Sequence, residues 1–166
     1  MLQAITIISM LLLVALDQII KLFVIEYLEP IGTLPLVEGF LQLHYAENTG
    51  AAFSSMSGHT DLLSIFTIII IVIGIILLTT KRIKFGVEYV CTAIMISGGI
   101  GNLIDRLYRG FVVDFIEPLF IDFAIFNFAD ILITCSAVVL CVWMFYDAYR
   151  ASKKEKEQKN NERSAD

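Results

Sequence analysis

The chain has 166 residues, enough for one compact unit and too few for a catalytic domain with a second regulatory one. Apolar residues make up 57% and charged residues 17%, with a mean hydropathy of +0.78. Soluble domains carry about 45–50% apolar residues, so this is the composition of a membrane protein. The net charge of −5, with no basic, aromatic-bearing surface, argues against nucleic acid as a partner.

Taken in chain order, four stretches reach the roughly 20 apolar residues that a bilayer crossing requires: about Ala4–Ile25, Leu62–Thr80, Gly86–Ile104 and Phe126–Tyr146. They predict an all-α membrane protein of four helices forming a single domain over residues 1–150. The first stretch has no basic segment before it and no small-residue cleavage site after it, so it reads as an anchor. Between the first two spans, about residues 26–61, short alternating pieces such as Phe40-Leu41-Gln42-Leu43-His44-Tyr45 are broken by Pro30, Gly32, Pro35, Gly39, Gly50 and Gly58. That pattern predicts a small strand-rich cap. Residues 151–166 are charged, lack an apolar pattern and are expected to be a disordered tail.

Basic residues set the orientation. Lys81, Arg82 and Lys84 follow span two, and Arg150, Lys153, Lys154, Lys156, Lys159 and Arg163 follow span four, whereas Leu22–Thr80 has no Lys or Arg. Both termini are therefore expected in the cytoplasm, with the cap and the 107–125 connection outside. Cys91, Cys135 and Cys141 lie in apolar stretches without CxxC spacing, and His44 and His59 stand apart from them. They suggest packing, with no metal or other cofactor.

With antiparallel spans, the polar residues fall at one end of the bundle. At about 1.5 Å per residue, Asn127 and Asp130 lie within ~6–8 Å of the outer end of span four, and Asp17 roughly 12 Å below the exit of span one. Asp17 and Lys21, Asn102 with Asp105 and Arg106, and Asn127 with Asp130 share helix faces. A carboxylate facing hydrocarbon is costly, so these stripes should face one another, and Gly98, Gly99 and Gly101 would let a neighbouring helix approach closely. Asp17 with Lys21 reads first as a structural ion pair, Asp105 beside Arg106 as a helix-end pair, and Asn48-Thr49-Gly50 as a turn.

Asp114, in Val112-Val113-Asp114-Phe115, and Asp130, inside a span with no basic residue within one turn, are harder to dismiss. Should they meet, one would hold a proton and the other would not. Such a pair can activate water and polarise a scissile carbonyl without metal or covalent intermediate. A Ser-His or Ser-Lys nucleophile is less well supplied by these residues. A small transporter using the carboxylates as a proton or cation site is the alternative, because intramembrane Asp and Asn also mark such pathways.

The succession Asp17-Gln18-Ile19-Ile20-Lys21, Asn48-Thr49-Gly50-Ala51-Ala52-Phe53, Gly98-Gly99-Ile100-Gly101-Asn102-Leu103-Ile104-Asp105-Arg106, Val112-Val113-Asp114-Phe115 and Phe126-Asn127-Phe128-Ala129-Asp130 resembles the lipoprotein signal peptidase (signal peptidase II) family over roughly Leu11–Tyr146. The resemblance implies a bacterial inner-membrane aspartic endopeptidase that cleaves prolipoproteins just before a diacylglyceryl-modified cysteine. It implies Asp114 and Asp130 as the catalytic pair, and Asn48, Gly50, Asn102, Asp105, Arg106 and Asn127 as residues that bind substrate and shape the pocket. Asp17 and Lys21 match the first-span motif. It further implies membrane lipid and globomycin-type inhibitors as partners and a monomeric enzyme with its site near the outer face. Phe40, Phe53 and Phe115 are the expected apolar lining.

Overall fold

A computed structural model describes residues 2–50, 60–80, 82–83 and 85–163. Helix α1 (Leu2–Phe23) ends in a π-helical turn, Val24–Leu28. Strands β1 (Thr33–Val37) and β2 (Leu41–Asn48) follow, then α2 (Thr60–Thr79), α3 (Val87–Arg109), β3 (Val112–Pro118) and α4 (Phe128–Arg163). Four helical stretches, Gln3–Leu28, Thr60–Thr79, Val87–Arg109 and Phe128–Gln158, are long and apolar enough to cross a membrane. The chain is thus a multi-pass membrane protein, with the predicted spans in place and most ends shifted by a few residues, while the fourth runs on to Gln158, well past the expected Tyr146.

The helices differ according to their neighbours. Mean hydropathy is 3.1 in the apolar window of α2 and 1.4 in that of α3. Helix α3 can carry polar residues because it packs against α1, α2 and α4, so its polar stripe meets protein and not lipid. Two glycines set the close approaches. A Cβ on Gly98 would stand 2.5 Å from the Ala129 carbonyl oxygen, and one on Gly101 would collide with the Asp17 carboxylate. Gly99 faces Ile71 at ordinary contact distance and is not needed for its small size.

The cap is a three-stranded antiparallel sheet in the order β1-β2-β3. Sequence reading placed its strands between the first two spans only. The third strand instead comes from the connection between α3 and α4, where the β-branched pair Val112-Val113 follows a sharp chain reversal. Gly110 makes that reversal: at φ +83° it caps α3, its N–H donating to the Arg106 carbonyl at 3.2 Å. Ala46 pairs with Asp114 and Asn48 with Val112, while an extra residue in β2 between Leu43 and Ala46 shifts the register beside Asp114. Gln42 and His44 both contact the Glu117 carboxylate, at 2.5 and 2.8 Å, holding it below the usual carboxylate range and fastening β2 to β3. Val24 and Leu28 of the π-helical turn pack with Val113 and Phe115, seating the sheet on the end of α1.

The expected disordered tail is not what the structure shows: α4 continues as helix through Arg163. Ala, Lys, Glu and Gln are strong helix formers, and Lys153 and Glu157 face each other at i,i+4, 3.9 Å apart. Gly98→Ala should lower stability by about 1–3 kcal/mol, because the new methyl meets backbone and not the end of a movable side chain. Thermal unfolding in detergent would read this directly, with Gly99→Ala as the near-neutral comparison.

Candidate active site

The site is assembled where α1, α3, β3 and the start of α4 converge. Asn127 and Asp130 form a reciprocal cap on α4: the Asp130 N–H donates to Asn127 Oδ1 at 3.0 Å, and the Asn127 N–H donates to Asp130 Oδ2 at 3.1 Å. The next free amide of that turn, Ala129 N–H, donates to Asp17 Oδ1 on α1 at 3.0 Å. Phe126, one residue before the cap, exchanges backbone hydrogen bonds with Ile116 at 2.8 and 3.1 Å. That pairing draws β3 alongside the start of α4.

Asp114 and Asp130 therefore reach one place from different elements. Asp114 Oδ1 accepts from Asn127 Nδ2 at 2.6 Å, and its Oδ2 accepts from Asn48 Nδ2 at 2.8 Å. Asp130 Oδ1 accepts from Asn102 Nδ2 at 2.8 Å. Asn48 is aimed by an Asx turn, its Oδ1 accepting from the Gly50 N–H at 2.9 Å. The predicted turn and the predicted binding residue are thus the same feature.

Behind the pair lies a closed ionic network. Lys21 and Asp17 are wholly inaccessible, as is Asp105. The Lys21 ammonium reaches Asp17 at 3.0 Å, Asp105 at 2.8 Å and Asn102 Oδ1 at 2.9 Å, so each of its protons has an acceptor. Asp105 also accepts from Arg109 at 2.5 Å and from the Val113 N–H at 3.2 Å. Adjacent helical residues do not face each other, which explains why Asp105 pairs with Arg109 at i,i+4 and not with Arg106. Gln18 donates to the Asp17 and Asp105 carboxylates and to the Gly101 carbonyl.

Arg106 takes another course. Its buried Nε has no hydrogen-bond partner among the described residues, and the side chain lines a cavity of about 390 Å³. Asn48, Asn102, Asp114 and Asp130 form the polar part of that cavity; Val112, Phe123, Ala124, Ile125, Phe126, Ile131, Thr134 and Cys135 form the rest. A largely apolar cleft with a few converging polar groups is the usual form of a binding site. Asn127 and Asp105 sit behind this wall, and Gly50 borders a second cavity of about 340 Å³ that shares Asn48 and Asp114.

The aromatic lining differs from expectation. Phe115 is buried against Val24, Leu28 and Val113, Phe40 stacks on Phe120 at 4.5 Å, and Phe53 lies outside the described residues. Phe123 and Phe126 line the cavity instead. Strand alternation is the cause: Asp114 and Phe115 point to opposite faces of β3. Cys135, read from sequence as packing, also lines it.

Burial first, and the neighbouring Asp130 charge second, push the Asp114 carboxyl up to about 6. A carboxyl raised in the folded state disfavours the fold when ionised, so stability is gained as pH falls through about 6 and levels off near the unfolded value of about 4. The thermal midpoint of the wild type should accordingly rise between about pH 8 and pH 5, and Asp114→Asn should lack that increment. An unchanged pH dependence in the variant would assign the titration to another group.

The chain is similar to known proteins in sequence and in fold. The family described as signal peptidase (SPase) II matches residues 9–146. The lipoprotein signal peptidases of Streptococcus pyogenes serotypes M5 (strain Manfredo) and M18 (strain MGAS8232) are each 37% identical over 139 residues, covering 82% of this chain and 91% of the relative. Two solved structures of bacterial membrane enzymes superpose with TM-scores of 0.79 and 0.70 at 28% and 30% identity, covering 87% and 85% of this chain and 90% and 92% of theirs. With four membrane-spanning helices, a three-stranded cap and a polar cavity between them, the chain belongs to the signal peptidase II family of membrane peptidases.

Proposed function

We propose that the chain is an aspartic endopeptidase that removes signal peptides from diacylglyceryl-modified prolipoproteins, cutting just before the lipid-modified cysteine. The observation that carries this reading is the convergence of Asp114 and Asp130 on one cavity, both held by Asn127. In this reading the pair shares one proton, with Asp114 as the acid and Asp130 as the base. Asp130 takes a proton from water as the water oxygen attacks the scissile carbonyl, and Asp114 gives its proton to the carbonyl oxygen. Asp130 then passes its proton to the leaving nitrogen while Asp114 recovers one from the tetrahedral intermediate. The products are the carboxyl end of the signal peptide and the free amine of the lipid-modified cysteine.

The unpartnered Arg106 Nε supplies a donor for a substrate carbonyl. Asn48, Asn102 and Asn127 orient the two carboxyls, Gly50 orients Asn48, and Asp105 anchors β3 from behind. The apolar walls at Phe123, Phe126 and Ile131 suit acyl chains that stay in lipid while the peptide bond reaches water. In this reading both termini are cytoplasmic, the site lies near the outer face, the enzyme acts as a monomer, and a globomycin-type cyclic peptide competes for the cavity.

The test is a gel-shift assay of purified protein with a diacylglyceryl-modified prolipoprotein beside the unmodified precursor. Only the lipidated form should be cleaved. Asp114→Asn and Asp130→Asn should each lose at least about 100-fold in rate while retaining inhibitor binding. No cleavage by folded wild type, with ion accumulation in proteoliposomes, would favour the transporter instead.

A further inference from the structure

We infer that Lys21 is a positioning residue for the reaction, acting through the side-chain amide of Asn102; this rests on the peptidase reading above. Asn102 can lie in two orientations related by exchange of its oxygen and nitrogen, and only one of them serves Asp130. In the structure Asn102 Oδ1 accepts from Lys21 Nζ at 2.9 Å, which leaves Asn102 Nδ2 to donate to Asp130 Oδ1 at 2.8 Å. Turned over, the amide would present its NH₂ to an ammonium that has only protons to offer and its oxygen to a carboxylate. Asn127 Nδ2 also reaches Asn102 Oδ1, but at 3.2 Å and while donating to Asp114 at 2.6 Å. The ammonium is therefore the principal lock.

Lys21 is itself fixed. It is wholly inaccessible, and its two remaining protons are held by Asp17 and Asp105 at 3.0 and 2.8 Å, so it has no alternative acceptor to turn toward. A residue on α1 that does not line the cavity thereby decides which atom Asp130 meets.

The experiment compares neutral partners at position 21 in a charge-balanced background. Asp17→Asn retains an oxygen for the Ala129 N–H, and Asp105 stays paired with Arg109. In that background Lys21→Met removes the donor to Asn102, whereas Lys21→Gln supplies an uncharged one. Asp17→Asn alone should lose stability, because its NH₂ would face the Lys21 ammonium, so the comparison that decides is between the two double variants. Adding Lys21→Met should lower kcat on the order of 100-fold, the scale of a misplaced catalytic group, with KM little changed. Lys21→Gln should recover much of the loss at comparable thermal stability.

Equal activity of the Met and Gln variants would overturn the inference while leaving the peptidase reading intact, provided the wild type cleaves. Should the Met variant not fold, the Asn102 side-chain amide of the wild type, observed by NMR in asparagine-labelled protein, decides the matter. A single slowly exchanging amide is expected, and two interconverting orientations would overturn the proposal.

Discussion

The architecture depends on one buried ammonium. Lys21 Nζ has no access to solvent, and desolvating a charge costs several kcal/mol unless its geometry and hydrogen bonds are complete. Its three acceptors come from α1 itself, through Asp17, and from α3, through Asn102 and Asp105. Asp17 then reaches the Ala129 amide at the start of α4, and Asp105 reaches the Val113 amide of β3. Four elements are thus placed relative to one cation. The two glycines of α3 that lie against Ala129 and Asp17 are the steric counterpart of that network, since any side chain there would hold its members apart.

Much of this was legible in the residues. Span positions follow from apolar length alone, and the gathering of Asp17, Lys21, Asn102, Asp105, Asn127 and Asp130 follows from helical spacing plus the cost of facing lipid. What escaped reading was non-local. Nothing within Val112–Pro118 states that it pairs with β2, whose residues lie some 70 positions earlier; strand pairing is fixed by the partner and by packing on the end of α1. The partner of Asp105 was misjudged because sequence adjacency to Arg106 was more visible than the i,i+4 relation to Arg109. Phe115 could have been excluded from the lining by strand alternation, had β3 been recognised. The continuation of α4 to Arg163 was hidden by a composition that suits a solvated helix as well as a disordered tail.

Helix capping also explains why the Asp130 carboxyl can stand at this depth. Four N–H groups at the start of α4 need acceptors, and in hydrocarbon no water supplies them. Asn127 Oδ1, Asp130 Oδ2 and Asp17 Oδ1 meet that need in part. The fold thus requires polar side chains at the place where the proposed chemistry calls for a carboxyl. Asp130 serves both ends, which ties the geometry of the cavity to the integrity of the helix terminus.

The carboxyls divide by the partners that hold them. Asp17 and Asp105 are bound by Lys21 and Arg109 in ion pairs that tie α1 to α3. Among the described residues, Asp114 and Asp130 are hydrogen-bonded by neutral donors, the amides of Asn48, Asn102 and Asn127. An asparagine donor fixes the orientation of a carboxyl without committing it to the ionised form as strongly as a cation would. Arg106 lies near enough to both to compensate charge, and among the described residues its Nε has no hydrogen-bond partner. The carboxyls of the network and those of the proposed catalytic pair are therefore distinguished by their hydrogen-bond partners among the described residues, cations for Asp17 and Asp105 and asparagine amides for Asp114 and Asp130.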